Sequence, residues 1–327
     1  MVRSGLIEYR DIGFNFHVGE ERGEEVKLYG ALMTLSFIWG LSFVFIELLI
    51  PAAGIGGTVF LRCIAGAVVL LPIFLYRWWK GNRPAVLPWK RLIVVGLFNA
   101  GLPWGLIALS QTSLTSNMAA VLNASTPIMT GMIGVLLFSV RLQWRQWGGI
   151  IIGFAGIILL TGFRPGQMAG ESFIGVGTML LAASCYGFVS HFTKRYLQGT
   201  DVVLLALAGL LVGGASGAVG MLWMGPDSWR QVGKMGFQTA WAVIGLGCLG
   251  SGVAHLLYYY MIEQAGAEFA SMVTYLVPVT ALIWGSVLLG EPVTPNLIYG
   301  LLMVFAGVYL STKKKSHRNR LPAVKAG

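Results

Sequence analysis

Charge is scarce in this 327-residue chain. Only 11% of its residues are Asp, Glu, Lys or Arg, against about 25% in a soluble domain. That shortage excludes a large soluble core. Cysteine is nearly absent: Cys63, Cys185 and Cys248 each lie inside an apolar run, without metal spacing or a disulfide framework. The chain has no Gly-rich phosphate loop, no HExxH and no acidic metal cluster, so no cofactor, metal or ATP is expected. Residues 1–27 are polar and mixed in charge, lacking the basic start and small-residue cleavage site of a signal peptide. What is there is apolar: 56% hydrophobic residues, a mean hydropathy of +0.72, and 45 glycines that suit close helix packing in a membrane.

Apolar runs fall at roughly 28–50, 55–76, 92–111, 115–138, 144–161, 173–192, 202–224, 239–262, 266–289 and 296–311. Each is near the ~20 residues that cross a ~30 Å hydrocarbon layer. The expected fold is therefore an all-α integral membrane protein with ten transmembrane helices. Residues 225–238, with Trp229, read as a short surface helix, and the two flanks as a cytoplasmic arm (1–27) and a basic cytoplasmic tail (312–327). The net charge of +10 could suggest a nucleic-acid partner. Its carriers instead sit in short loops, among them Arg77, Lys80, Arg83, Lys90, Arg91, Arg141, Arg145, Lys194 and Arg195, where they orient a membrane protein. On the other side are only Arg164, Arg230 and Lys234. This bias puts both termini in the cytoplasm, with the lipid bilayer rather than nucleic acid as partner.

The chain also repeats itself. An offset of 151 carries Gly96 to Gly247, Gly101 to Gly252, Ala119 to Ala270, Pro127 to Pro278, Gly134 to Gly285, Gly149 to Gly300 and Gly156 to Gly307. An offset of 147 carries Gly30 to Gly177 and Trp39-Gly40 to Tyr186-Gly187. The copies, 28–161 and 173–311, hold five spans each. An odd number of spans turns the second copy upside down, and inverted repeats place a substrate site near the midplane between them.

Several residues carry a family resemblance. Ile38-Trp39-Gly40-Leu41-Ser42-Phe43, Pro51 and Leu61-Arg62 look like the opening of an EamA domain. Pro278, Gly290-Glu291-Pro292-Val293-Thr294 and Gly300 with Gly307 resemble its close. The chain is similar over nearly its whole length to EamA-type transporters of the drug/metabolite transporter superfamily. That resemblance implies a multi-pass carrier in a bacterial inner membrane, an exporter of amino acids or related compounds. The family repeats the Gly-Glu pair in its first half. Here Ser139-Val140-Arg141 stands there, so Glu291 has no twin.

Candidate site residues follow from depth and from the repeat. A charge inside the membrane costs ~2.5–3.5 kcal/mol on insertion scales. Glu47 and Arg62 flank the short connection 51–56, and their similar depth predicts an ion pair. The pair fixes a hairpin, or its members snorkel, or it serves as a proton-coupling or substrate-anchoring site. Glu47 resembles the coupling carboxylate of small multidrug exporters, which makes protons the candidate coupling ion. Lys194, seven residues after its glycine, reads as an orienting surface cation. At mid-depth, Trp104 and His255 are repeat equivalents, Tyr258 and Tyr259 share the face of His255, and Asn99 lies on the matching helix with Gln111. Asn123 and Thr274 each precede a mid-helix proline by four residues, which frees their carbonyls. With Trp39, Tyr186, Tyr275 and Trp284 as walls, the set predicts a lined cavity, although helix packing accounts for any one member alone. Gly149 with Gly153, and Gly209 with Gly213 and Gly217, are small-residue ridges for close packing.

The expected function is secondary transport of a small metabolite by alternating access. A proton-coupled multidrug exporter is the alternative within transport. An integral membrane enzyme on lipid substrates would need clustered carboxylates or a facing His pair, and a scaffold subunit is weaker still.

Overall fold

The computed structural model describes residues 17–80, 87–160, 171–225, 232 and 236–312. Among these the structure is helical, with no strand. Helix α1 runs His17–Trp79 and α2 Trp89–Gln111. A bent pair follows, α3 (Ser116–Asn123) and α4 (Thr126–Phe138), and then α5 (Trp144–Leu160). Beyond the break come α6 (Glu171–Tyr196) and α7 (Val202–Met224). The last three are α8 (Thr239–Gly266), α9 (Val273–Leu289) and α10 (Pro295–Thr312).

The apolar part of α1 alone holds 54 residues, about 80 Å of helix, far more than one ~30 Å crossing. It breaks at Gly54, whose φ of 66° suits a residue without Cβ. The two arms then border the same stretch of α8: Trp39 and Phe45 on one arm, Arg62 and Ala65 on the other, all against residues 245–251. The expected six-residue connection 51–56 is thus one residue of non-helical backbone. Upstream, α1 starts at His17 and not near 28, because the Glu-rich run 20–25 contains good helix formers.

Two other expectations on boundaries change. The run 115–138 is two helices bent by 45°. Pro127 cannot donate to Asn123, whose carbonyl instead accepts from the Thr126 hydroxyl at 2.7 Å. The run 266–289 is interrupted twice, at Gly266 (φ 85°) and by a turn at Ser271 and Met272, and its long helix begins only at Val273. Pro278 stays within α9. Most of the expected surface helix 225–238, Trp229 included, lies outside the described residues, as do residues 313–327.

The outside of the bundle is as apolar as its inside. Leu136, Ile151, Leu222 and Val287 are exposed. Trp79, Trp144 and Trp223, at helix ends, are 79%, 89% and 91% exposed. Aromatic side chains at the ends of apolar helices sit at the headgroup level of a bilayer. Among the described residues, five helices are long and apolar enough to cross a membrane, six with the bent pair. The chain is a multi-pass membrane protein.

Glycine contacts hold the interior. Helix α5 packs most extensively on α10. Gly149 lies against the backbone of Gly307, and Gly156 against that of Gly300. Gly40 touches Thr280 and Ala281, while Gly187 touches Met129 and Thr130. Each contact becomes its companion when the sequence offsets are applied. The same holds for a local distortion: α2 is π-helical over Leu97–Gly101 and α8 over Ile244–Val253.

Candidate functional site

A cavity of about 640 Å³ opens between the helices, a size typical of small-molecule sites. The first arm of α1 contributes Trp39, Ser42, Phe43 and Ile46, and the second arm Arg62. Helix α2 supplies Val95, Asn99, Trp104 and Ile107; the bend between α3 and α4 supplies Asn123, Ala124 and Thr126. On the far wall, α6 gives Tyr186, Ser190, Thr193 and Lys194, α8 gives His255, Tyr258 and Tyr259, and α9 gives Thr274, Val277 and Pro278. Three offset pairs of the expected residues meet here: Trp39 with Tyr186, Trp104 with His255, and Asn123 with Thr274.

Of the expected substrate set, Trp39, Asn99, Trp104, Asn123, Tyr186, His255, Tyr258, Tyr259 and Thr274 line this one space. Tyr275 does not. Thr274, Val277 and Pro278 share a helix face at i, i+3 and i+4, and Tyr275 points off it, its ring edge-on to Phe305 of α10 at 5.9 Å. Trp284 is no cavity wall either; its Nε1 donates to the Phe37 carbonyl at 3.1 Å.

The expected Glu47–Arg62 ion pair does not form among the described residues. Each side chain is held by different partners. Arg62 turns toward α8 and α2: Nε donates to Ser251 Oγ at 2.8 Å, and the guanidinium lies over the Trp104 ring, 3.8 Å from its centroid. Glu47 turns to the end of α2, where its Oε2 accepts from Gln111 Nε2 at 3.3 Å. The π-helical stretch of α8 organises the Arg62 side. Ser251 Oγ donates on to the Leu246 carbonyl, and the Ser251 carbonyl accepts from His255 Nδ1 at 2.5 Å. A carbonyl only accepts, so the His255 proton is on Nδ1. Trp39 Nε1 donates to the Gly250 carbonyl, and its ring lies 5.6 Å from that of Tyr258.

The two ends of the cavity differ. At one end it reaches the surface beside Lys194, which is exposed; the residue expected as an orienting surface cation is also part of the rim. The other end is shut just beyond Ile46, Arg62 and Ile107. There Gln111 Nε2 donates to the Phe43 carbonyl at 2.9 Å, and Ser110 Oγ to the Gly175 carbonyl at 2.7 Å. Farther along, both Glu291 carboxylate oxygens accept backbone N–H groups at the start of α3, Ser116 N and Asn117 N, each at 2.8 Å. The Thr115 hydroxyl takes Met118 N, and the Thr115 carbonyl takes Ala119 N as the first helical bond. The first three amides of that helix, Ser116, Asn117 and Met118, thus all have side-chain acceptors.

The sequence reading passed over Ser42, Phe43, Ile46, Ser190 and Thr193. The 147-residue offset could have found most of them, since it pairs Phe43 with Ser190 and Ile46 with Thr193, all on the cavity wall.

The model of the EamA-like transporter family matches residues 27–162 and again residues 173–313. An uncharacterized transporter of Bacillus subtilis, YoaV, is 24% identical over 300 residues, covering 90% of this chain and 99% of that protein. One from Archaeoglobus fulgidus is 25% identical over 287 residues, covering 86% and 97%. The uncharacterized inner membrane transporter YedA of Escherichia coli is 26% identical over 300 residues, covering 88% and 94%. A solved crystal structure shares the fold at a TM-score of 0.58 and 18% identity, covering 88% of this chain and 97% of that one.

Proposed function

Because the chain belongs to the EamA-like transporter family and is a membrane transporter of the drug/metabolite superfamily, we propose that it is a secondary carrier. It exports small amphipathic metabolites, amino acids or related compounds, across the bacterial inner membrane by alternating access. Residues 28–161 and 173–311 form two inverted five-helix halves, and both termini are cytoplasmic.

Counting supports ten spans. The broken α1 supplies two crossings and the bent pair α3–α4 one. Helices α5 and α9 have 17 residues and α10 has 18, at the short end of the ~17–25 that span a bilayer. The offset-related glycine contacts, Gly149 on Gly307 with Gly156 on Gly300, are what a twofold relation between halves would produce. The bias of basic residues supports a cytoplasmic position for Lys194, and so for the cavity mouth.

One observation carries the reading: three offset-related pairs converge on a single cavity, walled by aromatics, open at one end and shut by hydrogen bonds at the other. That is the geometry alternating access needs, with a site shared by both halves. Among the described residues the cavity lining holds no Asp or Glu, and Glu47 lies outside it.

The test is uptake into everted membrane vesicles of a labelled amino-acid panel, with and without an ionophore. Gradient-dependent accumulation that needs this chain is expected. Failure with every amino acid and every other small solute offered would overturn the carrier reading.

A further inference from the structure

Arg62 is 8% exposed and deep in the apolar bundle. No carboxylate meets it among the described residues. Its Nε is held by Ser251 and its plane by Trp104, which leaves the Nη1 and Nη2 fork without a hydrogen-bond partner among those residues. A buried charge is ordinarily paired. A cation–π contact offsets only part of the cost of desolvating a charge. Among the described residues the wall around it adds no negative charge: its charged side chains there are Arg62 and Lys194, both cationic. A second group on the same wall is also unsatisfied. Asn123 Oδ1 is buried without a hydrogen-bond partner.

We infer that Arg62 is the anchor of a carboxylate-binding subsite, so that the transported solute carries a carboxylate and, beside it, a hydrogen-bond donor for Asn123. The inference rests on the carrier reading and names its substrate class. A guanidinium presents a planar fork that matches a carboxylate with two parallel hydrogen bonds. Ser251 and Trp104 fix the plane of that fork before any solute arrives, so little rotamer freedom is lost on binding. One deep cation neutralises one negative charge. A phosphate dianion would keep a second charge in a space whose other cation, Lys194, stands at the exposed mouth. The aromatic rings of Trp39, Tyr186 and Tyr258 leave the rest of the solute an apolar environment. Arg62 therefore selects for the acid group and the walls select the remainder.

Purified protein in nanodiscs tests this by ligand-induced thermal stabilisation. The probes are matched series built on alanine, leucine, phenylalanine and tryptophan: the amino acid, its amide, the decarboxylated amine and the deaminated acid, with phenyl phosphate alongside. In the wild type the carboxylates should bind about thirtyfold or more tightly than the amides and amines, the loss expected when a buried hydrogen-bonded charge pair is broken. Arg62→Gln should bind acid and amide alike, and Arg62→Lys should regain part of the preference. Ser251→Ala keeps the charge but loosens the fork, and should lower the preference without removing it. If Arg62→Gln does not fold, the wild-type series and Ser251→Ala decide.

Equal binding of acid and amide, a preference that survives in folded Arg62→Gln, tighter binding of phenyl phosphate, or no binding in any series would each overturn the subsite. Counterflow of the carboxylates through Arg62→Gln at the wild-type rate would remove the subsite and leave the carrier. A reconstituted protein that moves no solute at all would remove the carrier itself.

Discussion

The contact between Glu291 and the start of α3 gives a sharp prediction. Two charge-assisted hydrogen bonds of 2.8 Å join the carboxylate to Ser116 N and Asn117 N. A hydrogen bond to a charged group contributes about 1.5–3 kcal/mol net, and a carboxylate at a helix N-terminus adds about 0.3–1 kcal/mol. Glu291 is half-buried, so the lower ends apply. Its own backbone is held in place, with its N–H on the Gly285 carbonyl and its carbonyl on Ser286 Oγ. Glu291→Gln keeps one acceptor oxygen, removes the charge and sets an NH2 against one of the two amides. The expected loss is about 2 kcal/mol, or roughly thirtyfold in the local closing equilibrium. Hydrogen–deuterium exchange of a peptide spanning residues 115–119 reads this directly. Exchange at Ser116 and Asn117 should accelerate by about that factor, with α10 unchanged. Unaltered protection there, or equal loss throughout the bundle, would refute the idea that this carboxylate locks the shut end.

Gly307→Ala would place a methyl group on the backbone of Gly149 and Gly153. It should cost about 1–3 kcal/mol by overpacking, seen as a lower melting temperature in detergent. Gly148→Ala, where nothing stands within 4 Å, should leave melting unchanged. Asp201 caps α7 by accepting Val203 N and Leu204 N, and also pairs with Arg77 at 3.3 Å, with both side chains about a third exposed. Asp201→Ala should therefore cost about 1 kcal/mol. Asp201→Asn, which keeps a cap, and Arg77→Ala, which loses the partly exposed pairs with Asp201 and Glu263, should cost about 0–1 kcal/mol in the same melt.

The all-helical, multi-pass character was legible in the sequence because apolar length is a strong signal. Most of the cavity wall was legible because the two offsets act as a coarse contact map. They brought Trp39, Trp104, Asn123 and their partners together before any coordinate did. Local punctuation was harder to read. Pro127 breaks its helix and Pro278 does not, although the offset makes them equivalent; packing around each bend decides, and composition does not record it. The Glu47–Arg62 pairing failed for a related reason. Sequence gives depth along a helix, whereas pairing depends on rotation about its axis, and that rotation is set by Gln111 on one side and by Ser251 with Trp104 on the other. Tyr275 was lost to the same ambiguity.

Offset-related positions divide into two kinds. Backbone contacts are kept: Gly40 and Gly187, Gly149 and Gly300, Gly156 and Gly307 are glycines in both copies. Charged groups are not: Arg62 answers to Gly209, Glu47 to Lys194 and Glu291 to Val140. Under the proposed two-half arrangement this division has a physical use. Rocking between two states needs packing energies that nearly cancel, since a minor state stays accessible only when the gap is a few kcal/mol. Matched glycine contacts provide that balance. Chemistry that differs between halves then biases it: a lock of two hydrogen bonds at the Glu291 end has no carboxylate counterpart at Val140. A solute held by Arg62 is held by one half alone and travels with it. If the balance is as described, Val140→Glu, which offers the first copy the carboxylate it lacks, should shift the population between the states. Accessibility of a cysteine placed at Ser190, in a background without Cys63, Cys185 and Cys248, should change with it. An unchanged labelling rate in a folded variant would show that the carboxylate at this position does not set the balance.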